Sequence, residues 1–94
     1  MRSIVRFSVD GETDGQLRNR LAALLTDAGF VLNPHVTATY EHNMINEHEL
    51  AGVMQQFWQQ AMNPPNEAHV DHVWMYADNP PAFPLHFPDT GDEP

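Results

Sequence analysis

The chain contains no cysteine and no lysine. The first absence removes disulfides, thiolate metal ligands and cysteine nucleophiles, so stability must come from a hydrophobic core, and a reducing, cytoplasmic setting is expected. The second removes a P-loop phosphate lysine and any Schiff-base lysine. Arg2, Arg6, Arg18 and Arg20 carry all the formal positive side-chain charge, and none follows from Leu21 to Pro94. Against them stand thirteen Asp and Glu residues, for a net charge of −9. Binding a phosphate backbone depends on Lys and Arg displacing condensed counterions, and anionic lipid attracts the same residues. Neither nucleic acid nor a membrane surface is therefore an expected partner. A protein partner, either basic or a second copy of the chain, is the natural alternative.

Long apolar runs are missing too. No stretch approaches the roughly 18 residues of a membrane-spanning helix. The segment Ser3–Val9 alternates in polarity instead of forming the charged and then apolar regions of a leader, so no signal peptide is expected. There is no glycine-rich phosphate loop, no nucleophile elbow and no HExxH or HxxxH spacing. The six histidines are His35, His42, His48, His69, His72 and His86. His42 and His48 sit with Glu41, Glu47 and Glu49 in one polar segment, but without ligand spacing, and His69 and His72 point to opposite faces of a strand. They read as solvated side chains, and no metal, cofactor or small-molecule ligand is inferred.

What is present is a pattern of strands and helices. Residues 2–9 alternate, with Val5, Phe7 and Val9 on one face and Arg2, Ile4, Arg6 and Ser8 on the other, the period of a half-buried strand. Thr13 and Gln16 fit a capping box, Leu17, Leu21, Leu24, Leu25 and Ala28 follow at helical spacing, and Gly29 closes the helix. Phe30–Leu32 and Val36–Glu41 read as two short strands separated by a turn at Asn33-Pro34-His35, with Val36, Ala38 and Tyr40 inward and Thr37 and Thr39 outward. Asn46 and Glu49 repeat the capping pattern ahead of a stripe of Leu50, Val53, Met54, Phe57, Trp58 and Ala61. Asn63-Pro64-Pro65-Asn66 ends that helix, and residues 68–77 form the last strand.

The order strand, helix, strand, strand, helix, strand implies a two-layer α+β sandwich of ferredoxin-like type, with both helices on one face of an antiparallel sheet. Residues 1–78 form this single domain, and residues 79–94, with five of the eight prolines, form a Pro-rich acidic tail. Two helices cover only one side of the sheet. With Val73 and Met75 turned toward the helices, His72, Trp74 and Tyr76 join Arg2, Ile4 and Arg6 on the open side. In the tail Phe83, Leu85 and Phe87 alternate and are candidates to lie across that face or to dock on a neighbour.

This combination of Trp, Tyr and Arg has the composition of protein-interface anchors, and it points to a non-enzymatic interaction or assembly module that self-associates as a homo-oligomer. Two alternatives stand beside it. Asp10, at the end of the first strand, resembles in position the acid of small ferredoxin-like nucleases, and with His69 and Asp71 it suggests a metal-dependent hydrolase or nuclease. An acidic surface that mimics nucleic acid is the other.

Overall fold

The computed structural model describes residues 1–11 and 14–78. In chain order they form β1 (Arg2–Asp10), α1 (Gln16–Asp27), β2 (Val31–Leu32), β3 (Thr39–His42), α2 (Glu47–Ala61) and β4 (His69–Asp78). The strands make one four-stranded sheet in the order β2-β3-β1-β4, with every neighbouring pair antiparallel. This is an α+β fold, and among the described residues no helix is long and apolar enough to cross a membrane.

The alternation in β1 decides which side carries the core. Val5 and Phe7 are buried and pack with Leu17, Leu21 and Leu25 of α1, Leu50 and Phe57 of α2, and Phe30, Tyr40, Ile45 and Ala68 from the connecting segments and β3. Phe7 lies at the centre, its ring 5.9 Å from Tyr40 in a stacked arrangement and 5.4 Å from Phe57 edge to face. Full burial of one such side chain stabilises by about 1.5–3 kcal/mol.

The helix ends follow local chemistry. At the start of α2 the Asn46 side chain accepts from the Glu49 amide (2.7 Å), and the Glu49 carboxylate accepts from the Asn46 amide (3.2 Å), which completes the capping box expected from the sequence. The end of α1 is a full Schellman motif. The Phe30 amide donates to the Leu25 carbonyl and the Gly29 amide to that of Thr26, while Gly29 takes a φ of 99° that glycine tolerates best. Leu25 and Phe30, the two residues this motif brings together, are both buried.

Two boundaries and one exposure differ from the sequence reading. The N-cap of α1 is Gly15, with no side-chain cap hydrogen bond, so Gln16 opens the helix instead of closing a capping box; Thr13 lies outside the described residues. Asp14 accepts from the Gln16 amide in place of that cap. The third strand starts at Thr39, not Val36. The Asn33 side-chain oxygen captures the amides of His35 and Val36, and its amide group donates to Glu41 at 2.7 Å. That local turn outcompetes the strand propensity of Val36 and Thr37, and leaves Val36 exposed and Ala38 at a φ of 54°. Trp58 sits at the margin of the α2 stripe and is exposed, while Phe57 next to it is fully buried.

One buried group is left unsatisfied. Ser3 faces the core on β1, is 0% exposed, and its hydroxyl has no hydrogen-bond partner among the described residues. Desolvating a hydroxyl without compensation costs about 1–3 kcal/mol. The Ser3→Ala variant should therefore be more stable than the parent by about 1 kcal/mol. Urea titration followed by circular dichroism reads this as a higher midpoint with an unchanged slope, and a lower midpoint would show that the hydroxyl is satisfied.

Candidate functional site

The antiparallel register builds the uncovered side of the sheet residue by residue. Ile4 lies between Glu41 of β3 and Tyr76 of β4, and Arg6 lies between Thr39 and Trp74. Ser8 is opposite His72, and Arg2 is opposite Asp78. Cross-strand partners share a face, so these residues stand opposite the helices, as the parity of β1 requires. The buried side chains of α1 and α2 all belong to the core on the other side.

Trp74 and Tyr76, two residues apart on β4, stack with ring centroids 6.2 Å apart and planes 10° from parallel. They are 52% and 39% exposed. Arg6, His72 and Trp74 line a shallow concavity of about 410 Å³. Arg2 pairs with Glu41 at 3.8 Å, whereas Arg6 has no ion pair among the described residues. The face thus offers a stacked aromatic pair, one aliphatic side chain and an uncommitted guanidinium, with charged groups at its margin.

Val73, expected to face the helices, is partly buried against the core. Met75 shares that parity, being opposite Val5, but remains 45% exposed. Parity assigns a residue to a face, while cover depends on how far the helices reach, and β4 is the outermost strand on that side. Phe83, Leu85 and Phe87 lie outside the described residues.

At the far end of β4 the pairing shifts. Ser8 is opposite His72 and Val9 is opposite Val70, which leaves Asp71 as a bulged residue without a partner on β1. The bulge gathers Ser8, Asp71 and His72: the Ser8 hydroxyl is 3.1 Å from His72 Nδ1, and Asp71 is 3.2 Å from the same nitrogen. A nucleophilic relay needs the serine and the carboxylate on opposite ring nitrogens, so that one orients while the other takes the proton. Here both converge on Nδ1, and the cluster is exposed, so it is a surface hydrogen-bond network. Asp10 approaches His69 at 3.9 Å, also in solvent. Among the described residues no group of three or more His, Asp or Glu is placed to hold a metal ion.

A second concavity, of about 540 Å³, was not anticipated. It opens beside the β2–β3 connection, where Val31, Leu32 and Met44 give it apolar walls and His35, Glu41 and His42 give it polar ones. Its wall includes the Asn33-Pro34-His35 turn, which the Asn33 side chain fixes through the His35 and Val36 amides. The sequence signal was the Asn33-Pro34 pair, which announces a turn but not its shape.

No protein-family model, curated protein or solved structure matches this chain.

Proposed function

We propose that this chain is a small, acidic, non-enzymatic protein-interaction or assembly module that associates with a second copy of itself through the open face of the sheet. The observation that carries the reading is the stacked Trp74–Tyr76 pair, half exposed beside Ile4 and Arg6 on a face that neither helix covers. Leaving large aromatic surface in water forgoes about 25 cal/mol for each Å² that a partner would cover, and Trp, Tyr and Arg are the residues that dominate binding energy at interfaces. A two-fold arrangement uses one such patch twice and leaves no free surface to propagate. Arg2, Glu41, His72 and Asp78 then form a polar rim.

A ferredoxin-like arrangement is the fold we assign to the module. The order β2-β3-β1-β4 supports it, since β3 lies between β1 and β2, and β1 lies between β3 and β4. The absence of cysteine fits a cytoplasmic setting. Phe83, Leu85 and Phe87 of the Pro-rich tail join the contact surface on the strength of their alternation alone.

Light scattering at micromolar concentration tests the reading. The parent chain should run as a dimer, and the double variant Trp74→Ala, Tyr76→Ala should run as a folded monomer with self-affinity lower by at least about 30-fold, the loss of a single hot-spot side chain. Both positions are surface-exposed, so circular dichroism should be unchanged. If both proteins scatter as folded monomers, self-association is not the function of this face.

A further inference from the structure

The two edges of the sheet are built differently. The β2 edge consists of Val31 and Leu32 alone and stops at Asn33-Pro34, so it offers almost nothing for another strand to join. The β4 edge is ten residues long and, among the described residues, is paired on its inner side only, with β1. An outer strand presents a row of unpaired amides and carbonyls, which proteins ordinarily block with proline, charge or brevity. The middle of β4, Val73-Trp74-Met75-Tyr76-Ala77, has no proline, no charge and high strand propensity.

Exposure follows this edge and not one face. Trp74, Met75 and Tyr76 alternate between the two sides of the sheet, yet they are 52%, 45% and 39% exposed. A partner stacked on the open side would cover the two rings and leave Met75 in water. A strand added beyond β4 would flank all three.

We propose that two copies pair through β4, edge to edge and antiparallel, about a two-fold axis at Met75, to give one continuous eight-stranded sheet. This rests on the self-association reading but moves the contact from the open face of the sheet to its β4 edge. The register follows from three constraints. Both copies keep the same face uppermost, so opposed residues must have equal parity, and the axis must pass through a residue. The bulge at Asp71 ends the regular part of the strand, which leaves residues 72–78 paired with β1 in unbroken register. The midpoint of that stretch is Met75, and only an axis there pairs all of it.

The resulting contacts are complementary. Met75 meets Met75, Trp74 meets Tyr76, Val73 meets Ala77 and His72 meets Asp78, the last three each occurring twice. No two acids oppose one another. An axis at Trp74 would either pair fewer residues or run into the bulge, and one at Val73 would set Asp71 against Met75. About six to eight new backbone hydrogen bonds form along such a seven-residue pair. The stacks of the two copies also merge into one aromatic band across the joined open face.

The absence of cysteine makes the test clean, because any disulfide must come from an introduced residue. In the full-length chain, Met75→Cys places two thiols on the axis, with Cα atoms about 4.5–5.5 Å apart, within disulfide reach. Ile4→Cys reports the alternative: β1 strands of an edge-paired dimer are about 14 Å apart, too far to bridge, whereas faces stacked on each other bring Ile4 together. Under mild oxidation Met75→Cys should cross-link on the order of tenfold faster than Ile4→Cys. A mixture of Val73→Cys and Ala77→Cys chains should give a mixed disulfide more readily than either alone, which checks the register should Met75→Cys fail to fold. Preferential cross-linking of Ile4→Cys would overturn edge pairing while sparing self-association. A light-scattering dimer in which neither Met75→Cys nor the mixture cross-links would also overturn it, and a parent chain that is a folded monomer removes both proposals.

Discussion

Phe57→Ala should lose about 3–5 kcal/mol of folding stability, the largest effect expected of any single truncation in this chain. Small domains have about 5–15 kcal/mol in total, so much of the variant population should be unfolded near physiological temperature. The reason is position as much as size. Phe57 is fully buried and sits edge to face on Phe7, which in turn stacks on Tyr40. Its removal opens a cavity between α2 and the two central strands at once. Phe57→Leu retains most of the volume and should cost less than about 1.5 kcal/mol. Urea midpoints followed by circular dichroism compare the two, and equal midpoints for Ala and Leu would show that the ring does not organise the core.

Gly29→Ala should cost about 2–3 kcal/mol, from two separable sources. A φ of 99° is strained for any residue with a Cβ, and the added atom would lie 2.8 Å from His42 Nε2. His42 cannot simply swing away. Its ring packs edge to face on Phe30 at 5.3 Å, and its Nδ1 accepts from the Met44 amide at 3.0 Å. The double variant Gly29→Ala, His42→Ala should therefore show a coupling energy of about 1 kcal/mol, the steric part, while the backbone part persists. Strict additivity in that cycle would leave backbone strain as the whole effect.

Much of this architecture was legible because local and global signals agree. The Asn46–Glu49 box, the stripe of Leu50, Val53, Met54 and Phe57, and the Gly29 stop each satisfy a local rule and serve the same core. The parity of β1 also placed Val5 and Phe7 inward and Arg2, Ile4 and Arg6 outward. The misses have separate physical causes. At Val36 and Thr37 the strand propensity was real, but one asparagine side chain captured two amides and fixed a turn instead. At Met75 the face was right, yet the pattern of a strand contains nothing about how far a helix extends over it. The bulge at Asp71 was equally silent, since a single inserted residue resembles ordinary alternation with one fault.

The placement of the two indoles has a practical result. Trp58 and Trp74 are both about half exposed in the folded chain. Their emission is already that of partly hydrated rings, so it should shift little when the polypeptide denatures. Drying of Trp74 against a neighbour should move the spectrum to shorter wavelength. Intrinsic fluorescence is accordingly nearly blind to unfolding of the lone chain and a sensitive optical reporter of its company.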